Sequence, residues 1–107
     1  MGGWLRSEKD TAALRREIDC PPDATVWKNE RGLMAVVYCT VGRNFTAWHL
    51  WLAHRHRAYP PAIEDLLDCR QALLPGIDQW EVTTEDDMPN AIHLIEVPEG
   101  PVHATRQ

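Results

Sequence analysis

The stretch LMAVVYCTVGRNFTAWHLWLAH, residues 33–54, decides the fold. Its first part, LMAVVYCTV, is rich in β-branched and aromatic residues and contains no glycine or proline, which predicts a strand over residues 33–41. The segment TAWHLWLAH predicts a second strand over 46–54, and GRN between the two predicts a turn. Two consecutive strands joined by a short turn favour an antiparallel sheet.

Shorter signals extend this pair towards both termini. Ser7 and Asp10 form a weak helix N-cap pair, and TAALRREI continues that helix with Leu14 and Ile18 facing the core. TVWKN predicts a short strand and ERG a hairpin turn. Towards the C-terminus, Pro61 fits the first turn of a helix over AIEDLLDCRQALL, and DQWEVTT and NAIHLIEV predict two more strands.

The element order α-β-β-β-α-β-β indicates an α+β fold with an antiparallel sheet of about five strands and two helices. A chain of 107 residues with this order forms a single domain, predicted here over residues 1–98. Residues 99–107 contain a proline and show no periodicity, which predicts a flexible C-terminal tail.

Composition excludes several classes of function. The formal net charge of −5 argues against sequence-independent nucleic-acid binding, which requires lysine and arginine to displace counterions. Cys20, Cys39 and Cys69 are far apart and form no zinc or redox motif, and their odd number suits a reducing compartment. The sequence has no apolar run long enough to span a membrane and no apolar signal core near Met1, so we expect a cytoplasmic protein.

The two faces of the strand over residues 46–54 are both apolar. Side chains alternate along a strand, so one face carries Trp48, Leu50, Leu52 and His54, and the other carries Ala47, His49, Trp51 and Ala53. Because both faces are apolar, the sequence is compatible with either face in the core, and we assign the face with Trp48 to it. The opposite face then predicts a homodimer or a ligand platform, unless the N-terminal segment with Trp4 and Leu5 covers it.

Histidines and arginines are concentrated at the end of this strand. His54, Arg55, His56 and Arg57 form a local cationic cluster in an acidic chain, which is either an anion-binding site or a solvated loop. His49 lies on the opposite face from His54, although His93 would approach His49 if their strands were neighbours. No motif fixes an acidic third ligand beside these histidines, so we predict no metal site.

Arg70 interrupts the apolar stripe of the second predicted helix, which consists of Ile63, Leu66, Leu67, Leu73 and Leu74. A charge at that position must reach water or find a partner. The alternatives are an internal salt bridge to Glu81 or Glu96, and a guanidinium that faces a ligand carboxylate or phosphate.

From His49 to Val97 the chain resembles a family of small, uncharacterised phage-encoded proteins. The pattern consists of His49-Leu50 on a strand, Tyr59-Pro60 before a helix, Ile63-Glu64 through Arg70 to Leu73-Leu74-Pro75, then Pro89-Asn90 and His93-Leu94-x-Glu96-Val97. The resemblance covers about half of the chain. It departs from the family at Ala62 and Ile63, where the family usually has an aromatic residue. The resemblance implies a phage or prophage origin and carries no activity.

The sequence contains no nucleophile motif, phosphate loop or His-x-x-x-His pair, so we predict that the protein is not an enzyme and uses no cofactor. One hypothesis is a protein that binds a small anionic ligand, for example a phage sponge for a host immune-signalling nucleotide. The residues expected to bind that ligand are His49, Trp51, His54, Arg55, Arg57, Arg70 and His93. The alternative is a protein–protein interaction inhibitor, or a phage regulatory or structural accessory protein, that docks on a host or phage protein and has no small ligand.

Overall fold

A computed structural model describes residues 3–17, 23–43, 46–86 and 88–97. In chain order its elements are β1 (Leu5–Arg6), α1 (Glu8–Glu17), β2 (Thr25–Lys28), β3 (Leu33–Val41), β4 (Thr46–His54), α2 (Ile63–Leu73), β5 (Trp80–Thr83) and β6 (Ala91–Glu96). The strands form one sheet in the order β1-β2-β3-β4-β6-β5, and all neighbours are antiparallel. The predicted tail, residues 99–107, lies outside the described residues.

The predicted α+β class is confirmed, with two helices and one antiparallel sheet in the described part of the chain. The sheet has six strands there rather than about five, because β1 adds two residues beside β2. A two-residue strand is too short to show an alternating pattern in the sequence, so only its pairing partner reveals it.

β3 and β4 occupy the residue ranges that the opening stretch predicts, and they form the centre of the sheet. Their register runs from Leu33 opposite His54 to Val41 opposite Thr46. The turn before β3 depends on Asn29, whose side-chain oxygen accepts hydrogen bonds from the backbone N–H groups of Arg31 and Leu33. Gly32 in this turn has a φ of 86°, a conformation that favours glycine.

The core lies between one sheet face and α2, and it confirms the face assigned from the sequence. Leu50 and Leu52 are fully buried there against Leu66 and Cys69 of α2, and Trp48 packs at the edge of the same cluster. Burial raises the pKa of the Cys69 thiol to about 12. Cys69 is therefore a small core residue without thiolate reactivity.

The N-terminal segment does not cover the opposite sheet face. Trp4 packs against the core cluster on the α2 side, and Leu5 is 74% exposed. Of the two alternatives for the face that carries His49, coverage by these two residues is therefore wrong.

α1 packs beside β2 and protects the edge of that strand. Ser7 Oγ caps the helix by accepting the Asp10 N–H at 3.2 Å, as the N-cap pattern predicts. Thr11 Oγ1 accepts the Val26 N–H of β2 at 2.9 Å, and Arg15 donates to the Ala24 carbonyl at 3.0 Å. These bonds satisfy backbone groups that an exposed edge strand would leave unpaired. Ile18 lies outside the described residues.

α2 differs in two details from its prediction. The helix begins at Ile63 after Ala62 as N-cap residue, so Pro61 precedes the helix and does not occupy its first turn. Ile63 is 49% exposed, whereas Leu66 and Cys69 are buried. Because the core-facing stripe passes through Cys69, Ile63 at the N-terminal end turns away from the sheet. No helix in the described ranges is long and apolar enough to cross a membrane.

Candidate functional site

The sheet face opposite α2 carries four aromatic side chains from the three central strands. Tyr38 of β3 lies directly opposite His49 of β4, and Trp51 of β4 lies directly opposite His93 of β6. Directly opposed residues in an antiparallel pair have side chains within contact distance, so the register brings these four rings together. We call them the ring cluster.

The rings of this cluster form two layers. His49 Nδ1 and His93 Nε2 are hydrogen-bonded at 2.9 Å with ring planes 12° apart, so these two rings lie edge to edge in one layer. Tyr38 stacks on His49 with centroids 4.6 Å apart, and Trp51 stacks on His93 at 4.0 Å. The Trp51 indole N–H donates to the Tyr38 hydroxyl at 3.1 Å, which joins these two rings into the second layer.

This layering explains how two histidines are buried on the sheet face opposite α2. His49 is 9% exposed and His93 is 6% exposed, while Tyr38 and Trp51 are half-buried. The rings of Tyr38 and Trp51 therefore cover one side of the imidazoles and shield it from water. Each stacked contact also adds a favourable aromatic interaction to the burial of the rings.

A chain of hydrogen bonds runs through the layer formed by His49 and His93. His49 Nε2 bonds to Thr40 Oγ1 at 2.9 Å, and His93 Nδ1 bonds to Thr83 Oγ1 at 3.0 Å. A neutral imidazole has one donor and one acceptor nitrogen, so the chain is complete with both histidines neutral. The Glu85 carboxylate, 3.9 Å from His93 Nδ1, favours a proton on that nitrogen.

Burial keeps both histidines uncharged at neutral pH. Burial lowers the pKa of His93 to about 4, and the nearby His49 adds to this effect. Burial also lowers the pKa of His49. Neither ring offers a positive charge to an anionic ligand at pH 7, and all four ring nitrogens already have partners.

A second candidate site lies at the end of the sheet where β3 begins and β4 ends. The Arg55 N–H donates to the Gly32 carbonyl at 2.8 Å, which holds the β2–β3 turn beside the segment after β4. Between them is a cavity of about 330 Å³, which we call the basic pocket. Its lining residues are Glu30, Arg31, Gly32, His54, Arg55, His56 and Arg57.

The arginines of the basic pocket retain most of their hydrogen-bonding capacity. Arg31 Nη1 is 3.4 Å from an Asp65 carboxylate oxygen, Arg55 Nη2 donates to the Asn29 carbonyl at 3.2 Å, and Arg57 Nη1 donates to the Tyr59 hydroxyl at 2.8 Å. In the described part of the chain each guanidinium thus makes a single hydrogen bond, although it has about five N–H donors. The remaining donors can bind an anion.

An aromatic residue lies beside the basic pocket. Tyr59 is 52% exposed, and the Arg57 guanidinium lies 5.9 Å from its ring centroid. The His54 ring meets the same ring edge-on, with centroids 5.0 Å apart. The cationic groups and an accessible ring are therefore neighbours at this end of the sheet.

Arg70 of α2 lies on the sheet side opposite the ring cluster, and it is not among the lining residues of the basic pocket. Its Nη1 donates to the Ile77 carbonyl at 2.9 Å, and its guanidinium lies 5.8 Å from the Trp80 ring centroid. Within the described ranges it forms no salt bridge, so the expected pairing with Glu81 or Glu96 is wrong. The Nε atom is buried without a hydrogen-bond partner.

The residues expected to form one site therefore occupy three places. The ring cluster contains His49, Trp51 and His93, and the basic pocket contains His54, Arg55 and Arg57. Arg70 forms a hydrogen bond to the backbone after α2. Trp51 and Arg55 are four positions apart along an extended segment, which separates them by about 13 Å. Among the described residues no group of three or more histidine, cysteine, aspartate or glutamate side chains could hold a metal ion.

Sequence reasoning missed Tyr38, Thr83 and Arg31. Tyr38 and Thr83 join the histidines through cross-strand pairing, which a sequence pattern does not show without a register. Arg31 had an available signal, because the turn before β3 and the end of β4 must meet at one end of an antiparallel β2-β3-β4 meander.

No protein-family model, curated protein or solved structure matches the chain.

Proposed function

We propose that this protein binds a small anionic ligand in the basic pocket and does not act on it chemically. The observation that supports this most strongly is the convergence of Arg31, Arg55 and Arg57 on one cavity of about 330 Å³. The chain as a whole is acidic, with a formal net charge of −5, so the cluster is a local exception rather than part of a basic surface.

The chemistry of these side chains fits phosphate or carboxylate groups. A guanidinium presents a planar fork of N–H donors that matches two oxygens of such a group. His54 and His56, which also line the cavity, add donors beside the arginines. Glu30 in the same lining limits the net positive charge, which favours a compact ligand over a long polyanion.

The finer form of this proposal is a nucleotide ligand. Tyr59 beside Arg57 supports it, because a base can stack on an exposed ring while its phosphates meet the arginines. Tyr59 suits that role better than Trp51, which already stacks on His93. With the phage resemblance, we propose that the protein works in the bacterial cytoplasm as an anti-defence sponge for a host immune-signalling nucleotide.

Calorimetric titration tests this proposal. The ligands are inorganic phosphate, pyrophosphate, and a panel of linear and cyclic nucleotides. We expect at least one phosphorylated compound to bind, and its affinity to fall as salt rises because the contacts are ionic and partly exposed. If no compound in the panel binds to the wild-type protein, the anion-binding proposal fails.

A matched pair of variants locates the binding. Arg57→Gln removes one pocket cation, whereas Arg16→Gln makes the same change of charge on the exposed surface of α1. We expect the first to weaken binding and the second to leave it unchanged. Equal weakening by both variants would show that only the overall charge matters and would overturn the site.

A second candidate function is docking on another protein through the ring-cluster face. The observation that favours it is that Val36 and Ile95, which lie on this face beside the ring cluster, are only half-buried. We propose that the partner is a second copy of this chain in a two-fold dimer. The alternative partner for this face is a host defence protein. Light scattering at low micromolar concentration that shows only the 12.2 kDa monomer would contradict the dimer.

A further inference from the structure

A second cavity lies at the opposite end of β3 from the basic pocket, on the core side of the sheet. It has a volume of about 270 Å³ and is lined by Asp23, Thr25, Trp27, Val37, Trp48, Leu73 and Leu74. We call it the indole pocket. Five of these residues are apolar or aromatic, and Asp23 is the charged residue among them.

The strand register explains why the indoles of Trp27 and Trp48 line the same cavity. Trp27 of β2 lies opposite Ala35, Trp48 of β4 lies opposite Cys39, and Val37 lies between these two positions on β3. The tryptophans therefore stand on either side of Val37, along the same sheet face. Leu73 and Leu74 at the end of α2 close the cavity from the other side. Both indoles are half-buried and remain partly accessible.

The carboxylate of Asp23 lines this cavity, and that of Glu96 is bound to the backbone of Trp48. Asp23 Oδ2 accepts the Cys39 N–H at 2.9 Å, and Glu96 Oε1 accepts the Trp48 N–H at 3.2 Å. Their proximity is also visible at Cys39, where burial and then the charges of Asp23 and Glu96 raise the pKa of the thiol. No cationic side chain lines the cavity in the described part of the chain, so Asp23 gives this lining a negative charge.

We propose that the indole pocket binds a small alkylammonium compound with its methylated head between Trp27 and Trp48. Indole rings attract such cations more strongly than other side-chain rings do, and an apolar lining accepts methyl groups without loss of hydrogen bonds. The carboxylates of Asp23 and Glu96 select a cation over a neutral molecule of the same shape. This site is independent of the basic pocket and takes a ligand of the opposite charge.

An NMR titration with tetramethylammonium chloride tests the proposal. The neutral comparison is tert-butanol, which has a similar shape, and sodium chloride keeps the ionic strength constant. We expect the indole N–H signals of Trp27 and Trp48 to shift saturably with tetramethylammonium, and about threefold to tenfold weaker binding of tert-butanol. Unshifted signals of these two indoles, or equal binding of both compounds, would overturn the proposal.

The substitution Asp23→Asn tests the role of the charge, because it removes the negative charge and leaves the shape of the pocket nearly unchanged. The asparagine side-chain oxygen can still accept the Cys39 N–H, so we expect the variant to fold. It should bind tetramethylammonium about threefold or more weakly and tert-butanol as before. Asp86→Asn, in the exposed loop before β6, is the matched control and should leave both affinities unchanged. Equal effects of the two variants on tetramethylammonium would contradict a cation site at Asp23.

Discussion

His49 and His54 belong to the same strand but differ in their surroundings and in their hydrogen bonds. They are five positions apart, so their side chains lie on opposite faces of the sheet. His49 is buried between aromatic rings, has both nitrogens hydrogen-bonded within the protein, and is neutral at pH 7. His54 lines a cavity together with three arginines.

The contrast separates stability from binding. In the ring cluster the polar groups satisfy one another, so the cluster stabilises the sheet and leaves few groups for a ligand. In the basic pocket the donors outnumber the protein acceptors, so the pocket adds little stability and has capacity for an anion. Substitutions in the two regions should therefore have opposite signatures.

The largest effect on stability is expected from Trp51→Ala. The substitution removes the stacking on His93 and the hydrogen bond to Tyr38, and it exposes the two histidines. We expect the free energy of unfolding, measured with urea, to fall by about 2–4 kcal/mol. Trp51→Phe keeps a ring over His93 and should cost about 1 kcal/mol, mostly for the lost indole N–H bond. An unchanged stability of Trp51→Ala would mean that the rings do not form this cluster.

Acid should weaken the ring cluster next. Because the folded state lowers the pKa of His93 from 6.5 to about 4, protonation favours the unfolded chain. The contribution of the neutral His93 imidazole to the free energy of unfolding is fully present above pH 6.5, falls as the pH decreases to 4, and amounts to about 3 kcal/mol. Measuring the free energy of unfolding between pH 7 and 4 tests this prediction. Asp10 does not interfere, because its pKa lies below the usual value of 3.8 and its stabilising effect is therefore lost only at lower pH.

The control for this pH dependence is a pair of variants. His93→Gln removes one buried imidazole and should reduce the dependence between pH 6.5 and 4 to the part that His49 contributes. His56→Gln removes an exposed imidazole and should retain the full dependence. If both variants keep the wild-type slope, His93 is not the group responsible.

Arg70 lies outside both regions and should show an intermediate effect. A salt bridge to Glu81 or Glu96, one alternative raised by the sequence, would make Arg70→Ala cost about 2–4 kcal/mol by stranding a buried carboxylate. The structure gives Arg70 a carbonyl partner on Ile77 and no carboxylate among the described residues. We therefore expect Arg70→Met, which keeps the apolar stem, to cost about 1–2 kcal/mol in thermal or urea unfolding. A loss well above this range would indicate a charged partner.

The smallest effect on stability is expected in the basic pocket. Arg57→Gln removes an exposed hydrogen bond to Tyr59 and should change the free energy of unfolding by less than about 0.5 kcal/mol. The same variant should weaken anion binding about fivefold or more, because a charge-assisted contact is lost. Unfolding of this variant at ordinary temperature would place Arg57 among the structural residues and contradict the contrast between the two regions.

The central strands and the core could be predicted from the sequence because their patterns are local. The alternation in β4 assigned Leu50 and Leu52 to the core, and the β-branched run from Leu33 marked β3. The cationic cluster after β4 was also visible as a run of adjacent residues. β1 was missed because two residues carry no periodicity.

The arrangement of the candidate sites depends on contacts between distant parts of the chain. The pairing of Trp51 with His93 and of Tyr38 with His49 turned a proposed binding surface into a satisfied ring cluster. Likewise, the carbonyl of Ile77 replaced the carboxylate expected for Arg70. Residue type alone does not show whether a histidine or an arginine has a partner, because the partner is set by strand register.

The central claim is that anions bind at the basic pocket and not on the ring cluster, and an NMR titration with pyrophosphate tests it most directly. We predict that the backbone amide signals of Gly32, Arg55 and Arg57 shift with added pyrophosphate, while the Trp51 indole signal stays in place. Shifts confined to Trp51 and its ring neighbours, with the signals of Gly32, Arg55 and Arg57 unchanged, would contradict the account.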